Sequence, residues 1–234
     1  MLFNFGEEDF CSPQTGASSL YMRVSPDDIR ELERLFTQYS TKHEAAPAPP
    51  GAPAAAAGSS ELLIDGEGIL QLATAMGQQG DMDPLLLVVM WKLGCKRQWT
   101  ITHDEFVQGF ANMGVGSMPN IKRKVAEWKR LLDDPSVFPD FYNFAFEYLR
   151  GEAKMLGLQD ALMAWQMLGM DRRWPLWKLW EEHVKKTKEI SRDNWQQLLP
   201  FMSQFKNSMA GYDPASSWPT LYDEFVEFAN KAKK

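Results

Sequence analysis

Gly94-Cys95-Lys96-Arg97-Gln98-Trp99-Thr100-Ile101-Thr102-His103-Asp104-Glu105-Phe106 is the stretch that says most about architecture. Its end has the form of an EF-hand loop, with Ile101 at the central apolar position and Glu105 at the last. Counting back puts Gly94, Lys96 and Gln98 where calcium ligands belong, and Trp99 where a glycine should turn the chain. A lysine among the ligands repels a cation. The stretch therefore reads as a helix–loop–helix unit that keeps EF-hand packing and has lost its metal. Ile64-Asp65-Gly66-Glu67-Gly68-Ile69 fails in the same way: with Ile69 at the central apolar position, Leu62 and Ile64 fall where ligands should be. The two units are expected to form a pair, and no metal ligands are assigned.

Thr102-His103-Asp104-Glu105 is also a capping box, which starts a helix ending near Gly114. On its N-terminal side, Asp83-Pro84 caps a helix over 85–93 that Gly94 stops, and 68–76 is a further short helix. Ser25-Pro26-Asp27-Asp28 opens another, with Ile29, Leu32, Phe36 and Tyr39 at helical spacing. On its C-terminal side, helices are expected over 117–132, 139–150, 158–168, 175–186, 191–209 and 219–229. In the second of these, Phe141, Phe144, Ala145 and Tyr148 share one stripe. No alternating stretch competes as a strand, so the expected class is all-α. Residues 45–60 are a run of Ala, Pro, Gly and Ser without large apolar side chains, the composition of a disordered linker. Residues 1–24 show no clean period and are expected to be a flexible tail.

Composition narrows the function classes. A formal charge of −6 argues against a general nucleic-acid binder. Cys11 and Cys95 are too few for a disulfide framework, which points to a reducing compartment: cytoplasm, nucleus or both. Residues 1–6 lack the basic region and apolar run of a signal peptide, Leu2 excludes the myristoylation pattern, and the apolar run 85–91 is too short to span a bilayer. Neither a membrane nor a nucleic acid is expected as a partner.

No catalytic constellation emerges. His43, His103 and His183 are scattered, with no CxxC or HExxH spacing, P-loop, GxGxxG or nucleophile elbow. Cys95 between Gly94 and Lys96 is expected to be a small apolar residue at a helix end rather than an activated thiol. With no catalytic residues and no cofactor to assign, binding is the better class of function.

The C-terminal segment carries the binding signal. Ser191-Arg192-Asp193-Asn194-Trp195 starts one helix, and Ser217-Trp218-Pro219 leads into Leu221-Tyr222-Asp223-Glu224-Phe225-Val226-Glu227-Phe228. Asp193, Asp223 and Glu224 lie near helix N-termini, where the dipole favours the charged form. If the two helices pack side by side, these acids form one patch suited to a basic protein surface.

The pattern resembles the Defective-in-Cullin-Neddylation family and its PONY, or cullin-binding, domain. The resemblance covers about residues 25–231, interrupted by the linker at 45–60, with an N-terminal part over 61–150 and a cullin-binding part over 151–231. The family's Gly-Ala-Trp-Pro motif stands here as Ser216-Ser217-Trp218-Pro219, followed by Asp223-Glu224-Phe225-Val226-Glu227. Asp83-Pro84, Met90-Trp91-Lys92, Glu105-Phe106 with Gly109, Phe141-Tyr142-Asn143-Phe144-Ala145-Phe146, Trp174-Pro175-Leu176 and Asp193-Asn194-Trp195 match in order and spacing.

The resemblance implies a two-lobed helical domain with an EF-hand-like N-terminal half. It implies binding to the C-terminal winged-helix subdomain of a cullin through Asp193, Ser217 and Asp223, with Trp218 and Glu224 alongside. Ser217 stands where the family usually has Ala. It further implies an apolar pocket for the acetylated N-terminus of a neddylation-conjugating enzyme, built from Ile69, Leu86, Val89, Gln98, Trp99, Ile101, Tyr148, Ala164 and Met167. Gly66 stands where an Ile is common, and Trp99 and Met167 are atypical of the family. The RING subunit of a cullin-RING ligase is a further expected partner. The implied activity is that of a scaffold-type co-ligase without chemistry of its own. Two alternatives stand beside it: a divergent cullin-binding member that sequesters, and a calcium-sensor-like helical adaptor.

Overall fold

The computed structural model describes residues 24–43 and 61–232, so the linker expected over 45–60 and all but the last residue of the expected tail lie outside the described residues. Eleven helices and five short strands make up the described residues. Helix α1 (Pro26–Tyr39) starts on a complete Ser25–Asp28 capping box and buries Leu32, Leu35, Phe36 and Tyr39 against α4. The chain then enters β1 (Thr41–His43) and, after the undescribed residues, β2 (Glu61–Asp65) and α2 (Gly66–Met76). Helix α3 (Leu85–Leu93) is apolar nearly all round, and all but Trp91 and Lys92 of its nine residues are buried, as a helix at the centre of a lobe must be. Asp83 accepts the Leu85 N–H at 3.0 Å, and Gly94 ends α3 at φ +70°. Strand β3 (Thr100–Thr102) and α4 (His103–Asn112) follow, the latter on the expected Thr102–Glu105 capping box.

The short strands differ from the expectation of helices alone. β1, β2 and β3 form an antiparallel sheet in that order, with Ile64 opposite Ile101 and Leu63 opposite Thr102. This register corrects the sequence alignment of the first helix–loop–helix unit. Ile64, not Ile69, is the partner of Ile101; Ile69 lies one turn inside α2 and is buried there. Runs of three to five residues are too short for alternation to show, and their pairing depends on how the two units meet.

Helix α5 (Met118–Leu131) and α6 (Phe138–Arg150) complete the first half. The second half contains β4 (Leu156–Gly157), α7 (Leu158–Met167), α8 (Met170–Arg173), α9 (Trp177–Val184), β5 (Glu189–Ile190), α10 (Arg192–Gln204) and α11 (Thr220–Lys231). β4 and β5 pair antiparallel. Helix α6 belongs to both halves: it packs on α3 on one side and on α7 and α10 on the other. Tyr142 of α6 is the joint. Its ring stacks on Trp195 at 4.5 Å, and Trp195 in turn stacks on Trp165 at 5.1 Å. The Trp165 indole donates to the Tyr142 hydroxyl at 3.0 Å, and that hydroxyl donates to the Trp195 carbonyl at 3.1 Å. The Trp195 indole donates to the Tyr142 carbonyl at 3.0 Å. Each buried polar group therefore has a partner, so the aromatic joint carries no desolvation debt.

Helix α10 stops at Gln204, short of the expected end at 209. Phe205 leaves the helical region at φ −113°, ψ 56°, and its carbonyl accepts the Trp174 indole N–H at 3.0 Å. A tertiary hydrogen bond thus outcompetes continued helix. The helix expected over 175–186 starts two residues later, at Trp177.

Candidate functional site

Two regions collect the residues singled out in the sequence. The first lies where α10 and α11 begin. The Ser191 hydroxyl accepts the Asn194 N–H at 3.1 Å, capping α10 and setting Asp193 in its first turn, exposed. Pro219, with extended backbone, directs the chain into α11, where Asp223 lies in the first turn, half-buried, and Glu224 follows, exposed. The buried Tyr222 ring reaches across, and its hydroxyl donates to the Asn194 carbonyl. That bond puts the first turn of α11 beside the first turn of α10, so Asp193 and Asp223 each neighbour one end of it in sequence. The Tyr212 hydroxyl donates to Asp223 Oδ1 and holds that carboxylate in place. Burial, and then the Asp223 carboxylate, push the Tyr212 hydroxyl above the ordinary phenol range, so it stays a donor at neutral pH.

Trp218 is half-buried and meets Phe201 edge-on at 5.2 Å and Tyr222 at 5.9 Å. It is a wedge under the start of α11. Ser217 beside it is exposed, so its hydroxyl needs no protein partner in the free molecule. Sequence reading missed Tyr212, Asn194 and the bridging role of Tyr222. Only a Tyr beside an Asp could have hinted at the last.

The second region is the degenerate EF-hand loop before α4. Trp99 sits at φ +50°, the only non-glycine residue with positive φ among the described residues. The turn that an EF-hand makes with glycine is kept here with a tryptophan, at a cost of about 1–2 kcal/mol. Neighbours hold it: the Tyr148 hydroxyl accepts the Trp99 N–H at 2.7 Å and donates to the Arg97 carbonyl at 3.1 Å. Gln98 Nε2 donates to the Leu149 carbonyl at 2.6 Å. Glu105, where an EF-hand places its bidentate ligand, spends both oxygens on backbone. It accepts from the Lys96 N–H at 3.2 Å and from the Thr102 N–H at 2.9 Å. Cys95 is buried, and burial pushes its thiol up to about 12, so it is a packed apolar group rather than a nucleophile.

A cleft of about 390 Å³ opens between this loop, the end of α6 and α7. Of the nine residues assigned to the apolar pocket, Gln98, Trp99, Ala164 and Met167 line it. Tyr148 stands behind, with its ring edge-on to Trp99 at 5.8 Å. Ile69, Leu86, Val89 and Ile101 are buried in the core of the N-terminal half, at 9% exposure or less. Leu149, Arg150, Asp160 and Met163 complete the lining, and sequence reading missed all four. Met163 falls off the buried stripe of Leu158, Ala161, Ala164 and Trp165 on α7, the one signal that could have marked it.

The chain is similar to several known proteins. A family model described as "Cullin binding" matches residues 120–228, which run from the first turn of α5 through most of α11 and include the first region. DCN1-like protein 5 of Homo sapiens is 25% identical over 174 residues, covering 74% of this chain and 73% of that protein. The protein "Defective in cullin neddylation protein 1" of Caenorhabditis elegans is 26% identical over 227 residues, covering 87% of this chain and 72% of that protein. DCN1-like protein 4 of Danio rerio is 26% identical over 171 residues, covering 71% and 60%. Each similarity takes in most of this chain, and the matched domain holds the two helix starts that carry the acids. The chain is therefore similar over most of its length to DCN1-like proteins, and the cullin-binding match takes in its residues 120–228.

Proposed function

We propose that this chain is a non-catalytic helper in cullin neddylation that holds a cullin and a modifier-charged conjugating enzyme together. The observation that carries the reading is the bond from the Tyr222 hydroxyl to the Asn194 carbonyl, which sets the acid-bearing starts of α10 and α11 side by side within the matched region. Asp193, Asp223 and Glu224 there suit a basic face on the winged-helix subdomain of a cullin. The exposed Ser217 and the Trp218 wedge complete that contact.

The cleft beside Trp99 suits the conjugating enzyme's acetylated N-terminus. Acetylation removes the terminal charge, so an apolar first residue enters without stranding an ammonium. Binding both partners lowers the entropic cost of their encounter and orients the thioester toward the cullin lysine, so no side chain of this chain has to act as nucleophile. The RING subunit bound to the same cullin is the third member of the assembly.

The test is a reconstituted neddylation reaction with and without the chain, and with an Asp193→Lys, Asp223→Lys double variant. The expected outcome is faster cullin modification with the chain and no cullin capture by a folded double variant. Unchanged cullin capture by that variant removes the assigned contact. Added salt weakens the acidic contact and spares the apolar cleft, which separates the two in one titration. A sequestering role is the second reading, motivated by Ser217 and by Trp99 in the cleft. Slower modification on adding the chain identifies it.

A further inference from the structure

The cleft beside Trp99 has an uncompensated charge, and the following inference rests on the reading that an acetylated N-terminus enters it. Two charged side chains line the cleft, Arg150 and Asp160. Arg150 is fully engaged. It donates to Glu147 Oε2 through Nε at 2.8 Å and Nη2 at 2.5 Å, and to the Gly151 and Ala153 carbonyls at 3.3 and 2.5 Å. Asp160, exposed in the first turn of α7, has no Lys or Arg partner among the described residues. The free charge at the mouth is therefore negative.

Apolar surface accompanies it. Trp99 and Met163 line the same cleft and are 40% and 45% exposed, two of five large apolar side chains left in water among the described residues. A rigid indole and a pliable thioether form a slot suited to an unbranched apolar side chain. An apolar slot with one acidic lip complements an apolar chain end followed by a base. Asp160 and Met163 stand three residues apart on α7 and so are neighbours on its surface, which puts the acid beside the slot and within reach of a base in the first few residues of the peptide.

We infer that Asp160 is a specificity-determining residue: it makes the cleft prefer acetylated N-termini that carry a lysine or arginine within the first four residues. The Asp160 carboxylate pairs with that side chain while the first residue occupies the slot between Trp99 and Met163.

Fluorescence polarisation on the full chain tests this. The probes are dye-labelled peptides starting acetyl-Met, with Lys or Glu at the second, third or fourth position, and the same peptides with a free amine. In low salt, one Lys position is expected to bind roughly two- to fivefold tighter than its Glu counterpart, the range of an exposed ion pair. That preference disappears in Asp160→Asn and reverses in Asp160→Lys. An Asp160→Asn variant with the wild-type preference overturns the inference. Equal wild-type affinity for Lys and Glu peptides also overturns it while leaving the acetyl-binding reading intact. Failure of every acetylated peptide to bind removes both.

Discussion

The hydroxyl of Tyr222 donates to the backbone carbonyl of Asn194, joining the first turn of α11 to the first turn of α10 across 28 residues of sequence. Tyr222 is fully buried, and its ring also stacks on Trp180 at 5.1 Å. One side chain therefore anchors the lobe and spaces the acids on its surface.

Replacing Tyr222 by Phe keeps the ring and removes the bond. The Asn194 carbonyl loses a partner in a half-buried place, so the expected loss is about 1 kcal/mol of folding stability. Cullin affinity is expected to fall as well, because Asp193 and Asp223 lose their fixed spacing. Urea denaturation and a cullin titration read the two effects. Lower stability with unchanged cullin affinity shows that the bond does not position the acids.

Trp218→Ala removes the wedge that meets Phe201, Phe205 and Tyr222. Trp218 is only half-buried, so the expected cost is about 2–3 kcal/mol, at or below the low end for a fully buried Trp. Thermal denaturation followed by far-ultraviolet dichroism measures it. A wild-type midpoint for Trp218→Ala contradicts the wedge role.

At Trp99 the usual ranking of alanine over glycine is expected to invert. Both Trp99→Gly and Trp99→Ala remove the indole, so their difference isolates the backbone at φ +50°. Glycine adopts this conformation freely and alanine does not, so the Gly variant is expected to be more stable by about 1 kcal/mol. Side-by-side chemical denaturation of the two variants decides it. An Ala variant as stable as the Gly variant means that the loop has relaxed out of the left-handed region.

Two histidines give opposite pH dependences. His183 is buried, with Nε2 at 3.1 Å from the Leu221 carbonyl and Nδ1 without a partner among the described residues. Burial lowers its pKa in the folded state. As pH falls through about 6.5, the unfolded chain takes up a proton that the folded chain refuses, and stability drops. For His103, burial works against the charge, but Glu33 at 2.7 Å and Asp104 at 3.2 Å outweigh it and raise the pKa. Its contribution is full below about 6.5 and is lost as pH rises through the folded-state value. Stability curves from pH 5 to 8 are expected to lose the acid-side fall in His183→Gln and the alkaline-side fall in His103→Gln. A His183→Gln curve parallel to wild type disproves the first assignment.

How much of this was readable without coordinates depends on the range of each interaction. The Ser25 cap, the Thr102–Glu105 capping box, the Asp83 cap and the stop at Gly94 are hydrogen bonds closed within four residues or single backbone conformations, and each was legible; that Asp28 closes a second box at Ser25 was not read. So was the character of the degenerate loop, because Lys96 and Trp99 occupy defined positions in a short motif. The acids at the starts of α10 and α11 were legible as acids at helix starts. Their adjacency was not, because it hangs on one phenol reaching a carbonyl in another helix.

The amino-acid order by itself determined the helical class, the capped helix starts and the glycine stop of α3, and which residues carry charge, since those depend on neighbours one turn away. Only the tertiary structure decided that Ile64 and not Ile69 faces Ile101, that Phe205 leaves its helix for Trp174, and that Asp160 and Met163 share a cleft with Trp99. Those outcomes rest on contacts between segments tens of residues apart. Such contacts form where the packing of the whole lobe is most favourable, and no local preference of the chain specifies them.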